Sequence, residues 1–180
     1  MPGGARNGTV KDMKSLLGTS TKRRVGTVAA TAFLTLGGAL AAAAPASAVT
    51  QSSAQSQLQA AGIYASSSGG CTTRSNSTCT SYDGIRQATI DGAITLKRAS
   101  GCGLTVTGGT EVGHASGTYS HYNGYKLDFS RTTCLTNWVH NTYSYIGVRG
   151  DGAAQYQSAS GNIYADEGNH WDVTYYTCGC

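Results

Sequence analysis

No C-x-x-C pair occurs in this chain, although it holds six cysteines: Cys71, Cys79, Cys102, Cys134, Cys178 and Cys180. Thiolate zinc clusters usually take such close pairs, so the cysteines read as disulfides instead. Six cysteines allow fifteen pairings. The preferred reading joins Cys71 to Cys79 and Cys102 to Cys134, and leaves the Cys178-Gly179-Cys180 tail open. Phenylalanine is scarce, two residues against eleven tyrosines. Tyrosine must therefore fill much of the core, with its hydroxyls reaching water. Internal repeats are absent.

Positive charge is scarcer than the formal net charge of +4 suggests. Arg6, Lys11, Lys14, Lys22, Arg23 and Arg24 stand before an Ala-rich apolar run from Val25 to Ala44, which ends in Ala46-Ser47-Ala48. A basic start, an apolar middle and a small-residue A-x-A site read as a secretory signal over 1–48, cleaved after Ala48. A retained membrane anchor is the alternative, since the run is about long enough to span. Arg23-Arg24 fits a twin-arginine signal poorly. Past Ala48, seven basic residues face eight acidic ones. That near-neutral balance argues against nucleic acid as a partner. The expected molecule is an exported monomer, secreted or cell-wall associated, with no stable membrane anchor after cleavage.

Residues 49–79, rich in Ser, Gln, Ala and Thr, predict a flexible or weakly structured segment, with a short helix or strand over 57–64. The folded domain is expected over 80–180. Ile85, Ala88, Thr89, Ala93 and Leu96 recur at helical spacing, with Thr80 or Ser81 as N-cap, Lys97 and Arg98 in the last turn and Gly101 as the stop. "GLTVTGG" (103–109) and "YKLDF" (125–129) read as strands. Residues 132–147 predict a second helix, and "NIYADEGNHWDVTYY" predicts two strands joined by the "DEGN" turn. The sum is an α+β domain: a small antiparallel sheet covered by two main helices and stabilised by disulfides.

His121 and Asp128 stand seven positions apart with Asn123-Gly124, a strong turn signal, between them. A chain reversal there would fold one side chain back toward the other. In "DEGNHWD" (166–172), Trp171, Val173 and Tyr175 should face the core while His170, Asp172 and Thr174 face the other way. Glu167 lies three residues before His170, and Gly168-Asn169 allows both onto one side. Two imidazoles and one carboxylate suit zinc with a fourth position left for water, the pattern of a catalytic site. Glu167 would take a proton from that water, whose pKa zinc lowers to about 7.

His-x6-Asp followed by Glu-x-x-His resembles the zinc peptidases of bacterial cell walls. These are the D-Ala-D-Ala carboxypeptidases and L-alanyl-D-glutamate endopeptidases of the hedgehog/DD-peptidase fold. The match covers His121, Gly124, Asp128, Glu167 and His170, and the element order extends it over roughly residues 80–177. The resemblance implies zinc on His121, Asp128 and His170, Glu167 as general base, and peptidoglycan stem peptide as substrate. Three departures stand out. Ser120 adjoins His121 instead of lying two before it. Lys126 replaces a small residue. The stretch that in the family supplies a substrate-binding arginine is here "TGGTE" (107–111), without one. Arg86, Arg149 and His114 are the candidates to replace it, with Lys126 a further candidate contact to a substrate carboxylate.

His114 is also a candidate donor to the tetrahedral intermediate. Asp172 could orient His170 or be an exposed strand residue. His140 reads as structural, and Asp166 as the rival base to Glu167. Arg149-Gly150-Asp151 spells an adhesion tripeptide but sits where loop chemistry is expected. Two further functions compete with a secreted zinc peptidase. One is a non-catalytic cell-wall-binding module on the same fold. The other is a metal-free hydrolase using Glu111 and Asp128, for which no spacing speaks.

Overall fold

The computed structural model describes residues 48–179. The predicted leader, save Ala48, lies outside the described residues, as does Cys180. The domain is α+β and larger than expected, a seven-stranded sheet with three helices. In chain order the elements are α1 (Gln51–Ala60), β1 (Ile63–Ala65), α2 (Gln87–Ser100), β2 (Leu104–Gly108), β3 (Lys126–Ser130), α3 (Thr133–Thr142), β4 (Ser144–Val148), β5 (Ala154–Gln157), β6 (Ile163–Asp166) and β7 (His170–Thr174). The sheet runs β1-β2-β3-β7-β6-β5-β4. Every neighbouring pair is antiparallel except β1 and β2.

The stretch expected to be weakly structured instead carries α1 and β1. Thr50 caps α1 through its hydroxyl, and Ala54, Leu58 and Ile63 enter the core almost fully buried. A Ser/Gln-rich surface hid a narrow apolar stripe that packing makes sufficient. Helix α2 begins at Gln87, not near Ser81, because tertiary contacts take both proposed caps. The Thr80 hydroxyl donates to the carbonyls of Ser66 and Thr107, and the Ser81 N–H donates to the Glu111 carboxylate. The end of α2 is as expected: Gly101 adopts φ 66° and donates to the Lys97 carbonyl, while Lys97 and Arg98 lie in the last turn, Lys97 Nζ donating to the Cys102 carbonyl just past it. Helix α3 has its Thr132 cap but stops at Thr142, and Ser144–Val148 continues as strand β4.

All three helices bury their apolar residues in one cluster with β2, β3, β6 and β7: Leu58, Ile90, Leu96, Leu135 and Val139 meet Val106, Leu127, Phe129, Tyr164, Trp171 and Val173. Residues alternate across a strand, so Asp128 and Lys126 on β3 share the opposite face with His170, Asp172 and Thr174 on β7. Cross-strand pairing sets Asp128 beside Asp172, Lys126 beside Thr174 and Ser130 beside His170. The sheet thus has a helix-covered side and a polar side. Disulfides join Cys71 to Cys79 and Cys102 to Cys134. Among the described residues no helix is long and apolar enough to cross a membrane.

Candidate metal centre

The chain reverses between Ser120 and Tyr125. Gly124 N–H donates to the His121 carbonyl at 2.8 Å, and Tyr125 N–H to the Ser120 carbonyl at 3.2 Å. Gly124 has φ 74°, and a Cβ there would strike the backbone of Gly84, Ile85 and Arg86, so glycine is required on both counts. The turn lays His121 over β3 and brings its Nε2 to 3.2 Å from Asp128 Oδ1. From β7, His170 Nε2 comes to 3.6 Å from that same oxygen.

Both rings are held by their other nitrogen. His121 Nδ1 lies 2.8 Å from the Gly109 carbonyl, and His170 Nδ1 lies 2.7 Å from Asn169 Oδ1. A ring that donates from Nδ1 is left with a lone pair on Nε2. Both Nε2 atoms point to one carboxylate oxygen. Asp128 Oδ1 and Asp172 Oδ1 are buried without a hydrogen-bond partner, and Asp172 Oδ1 lies 3.6 Å from His121 Nε2. Buried carboxylate oxygens brought this close are costly unless a proton or a metal cation lies between them and the rings.

His114 stands closer to this centre than its loop position suggested. Its ring stacks on His121 with centroids 3.8 Å apart, and donor atoms of His114, His121 and Asp128 all lie within 4.8 Å of one another. These three residues could hold a metal ion. His114 Nε2 is turned to Glu111 Oε1 at 3.1 Å, and its Nδ1 lies 3.8 Å from Asp128 Oδ2.

Around the centre a cleft of about 510 Å³ opens on the polar side of the sheet. Glu167 reaches it with Oε2 at 3.2 Å from His170 Nε2, while Arg149 Nη2 holds Oε1. Arg149 comes from the β4–β5 turn, donating also to Asp151 and, at 2.8 Å, to Asp172 Oδ2. Lys126 Nζ lies 2.5 Å from Asp172 Oδ2, so this cation is drawn to Asp172 and not to Asp128, although it shares a face with Asp128. Asp172 was expected beside His170 or exposed. It is buried, held by two cations, and faces His121. Arg86 is absent from the cleft lining and covers the Tyr125 ring at 3.9 Å. Asp166 is taken by Arg131, and His140 stacks on Tyr156.

The electrostatics follow from burial and neighbours. Burial pushes the His121 imidazole toward its neutral form, but the Asp128 and Asp172 carboxylates outweigh it and raise its pKa to about 9 in the metal-free protein. A cation taken up there displaces a proton. Asp172 is depressed well below the carboxylate range, since His121 and Lys126 outweigh its burial.

Two glycines and one acid that the motif reading left unassigned build this site. Gly109 supplies the carbonyl for His121, and a Cβ on Gly108 would overlap the Asp128 carboxylate. Gly108→Ala should keep the fold and weaken metal binding by about tenfold or more, through the displaced ligand; a zinc titration against a competing chelator reads this. Glu111, 3% exposed, accepts from the N–H groups of Ser81 and Gly109 and from His114. Burial works to raise its carboxyl, and these hydrogen bonds, His114 foremost, bring it below 4.5. A depressed folded-state value means stability that is complete above the unfolded value and lost as pH falls through the folded one. Glu111→Gln should cost about 2 kcal/mol at pH 7 and flatten the loss of stability in acid, measured as urea midpoints from pH 7 to 3.

Fold and site together define an α+β domain whose polar sheet face carries a His/Asp cluster able to hold a metal ion. No protein-family model matches the chain, and neither does any curated protein or solved structure.

Proposed function

We propose that the protein is a secreted zinc peptidase of the D-Ala-D-Ala carboxypeptidase and endopeptidase type, with the hedgehog/DD-peptidase fold, acting on peptidoglycan stem peptides. The observation that carries this reading is the pair of Nε2 atoms, from His121 and His170, converging on one buried oxygen of Asp128. The Glu-x-x-His motif names His170 as third ligand; His114, whose donor atoms lie within 4.8 Å of those of His121 and Asp128, is the rival for that place. Zinc held there would supply Lewis-acid chemistry, polarising a scissile carbonyl and acidifying water.

The chain's own groups do the rest. Glu167 takes the proton from the attacking water at Oε2 and passes it to the leaving amine. Arg149 fixes that carboxylate through Oε1 and keeps Oε2 toward His170. Lys126 and Arg149 line the cleft paired with Asp172, Asp151 and Glu167, and a substrate carboxylate, the group the family's arginine takes, would have to share them with these acids. The Cys71–Cys79 and Cys102–Cys134 disulfides agree with an exported protein.

One observation favours the non-catalytic cell-wall-binding module: the ion pair from Arg149 occupies one oxygen of the base. Purified peptidoglycan incubated with the protein decides between them. The peptidase reading expects released peptides by mass spectrometry, stopped by a chelator and restored by zinc. Bound zinc with no cleavage of any stem peptide leaves the binding module.

A further inference from the structure

Asp172 lies beside the metal centre but belongs neither to the His-x6-Asp and Glu-x-x-His motifs nor to the proposed chemistry. It is 5% exposed, and its two oxygens meet different surroundings. Oδ2 is held by Lys126 Nζ at 2.5 Å and by Arg149 Nη1 at 2.8 Å. Oδ1 is buried, makes no hydrogen bond, and lies 3.6 Å from His121 Nε2. Two cations on one oxygen fix the carboxylate, so the other oxygen stays turned to the ring. Pairing of β3 with β7 sets Asp172 beside Asp128, and alternation puts it on the same side of the sheet as His170.

The spacing fits a shared ion. Ligands about 2.0–2.2 Å from a tetrahedral zinc stand about 3.3–3.6 Å from one another. His121 Nε2 is 3.2 Å from Asp128 Oδ1 and 3.6 Å from Asp172 Oδ1, and His170 Nε2 is 3.6 Å from Asp128 Oδ1. Charge points the same way. A divalent ion with Asp128 as its one carboxylate would keep a net positive charge beside Lys126 and Arg149, and like charges so close repel. A second carboxylate cancels that charge. Asp172 faces His121 with one oxygen and the cations with the other, so Lys126 is tolerated where the cell-wall peptidases carry a small residue.

We infer that Asp172 Oδ1 is a fourth protein ligand to the ion, beside His121, Asp128 and His170. Zinc can expand to five ligands, so water keeps a place. The assignment rests on the ion and the three ligands of the proposed function but not on cleavage, and it holds for peptidase and binding module alike.

The test takes the intact protein loaded with zinc. A crystal structure gives the distance from the ion to Asp172, and competition with a chromophoric chelator gives the affinity. The expected distance to Oδ1 is about 2.0–2.2 Å. Asp172→Asn should weaken zinc by more than about 100-fold, beyond the loss that follows removal of a group behind a ligand. Lys126→Met, which removes a holder of Oδ2 and no ligand, should cost about tenfold. Water in the fourth place with Oδ1 about 3 Å or more from the ion would overturn the assignment. So would an ion on His114, His121 and Asp128 with Asp172 out of reach. Zinc bound as tightly by Asp172→Asn as by the wild type would also overturn it, leaving Asp172 to serve only a protonated His121. The wild-type distance decides even where a variant fails to fold. Stem peptides left uncut by the zinc-loaded protein would overturn the peptidase reading and leave this distance untouched.

Discussion

Glu167→Gln should abolish peptide release from purified peptidoglycan, lowering the rate about 10³-fold or more, while zinc stays bound. Glutamine keeps the side chain's shape and can still accept from Arg149 through its amide oxygen. What it loses is the carboxylate oxygen 3.2 Å from His170 Nε2, the group proposed to take the proton beside the ligands. The neighbouring carboxylates cannot substitute easily. Asp166 is held bidentately by Arg131, and Asp172 by Lys126 and Arg149. Metal content and cleavage measured on one preparation separate loss of the base from loss of the ion. A variant that keeps near wild-type cleavage would move the base elsewhere.

The second large effect concerns which histidines hold the ion. His121→Ala should lower zinc affinity by about 10³-fold or more, because it removes a ligand and leaves Asp128 Oδ1 and Asp172 Oδ1 buried without a cation. His170→Ala should act alike. His114→Ala should cost only about tenfold, the size of a change beside the ligands. Competition against a chromophoric chelator gives all three affinities. Thermal melting gives a second reading, since an ion that binds only the folded state raises the midpoint with its concentration. The reverse order, with His114→Ala losing zinc and His170→Ala keeping it, would assign the ion to the His114–His121–Asp128 group.

The parts of this arrangement that are local were legible in the sequence. Asn123-Gly124 marked the reversal that carries His121 over Asp128, because a left-handed glycine is a property of a few residues. Alternation along 170–175 placed Trp171, Val173 and Tyr175 in the core and turned His170 and Asp172 the other way. Gly101 and Thr132 marked helix ends through caps that need only their own turn.

What escaped depends on distant chain. Thr80 and Ser81 looked like caps and were spent on Ser66, Thr107 and Glu111. Strand β5 (AQYQ) and β4 (SYIGV) lack strong alternation and exist through pairing with each other and with β6. Arg149 read as part of an adhesion tripeptide or a substitute arginine. Only the β4–β5 turn shows it bridging Glu167 and Asp172. Glu111 gave no motif at all; its role comes from backbone donors at Ser81, thirty residues earlier, and Gly109.

Anomalous diffraction at the zinc edge, from crystals grown with zinc, tests the central claim most directly. The account predicts one strong peak about 2.0–2.2 Å from His121 Nε2, His170 Nε2 and an Asp128 oxygen. A peak ligated by His114 in place of His170, or no peak near Asp128, would contradict it.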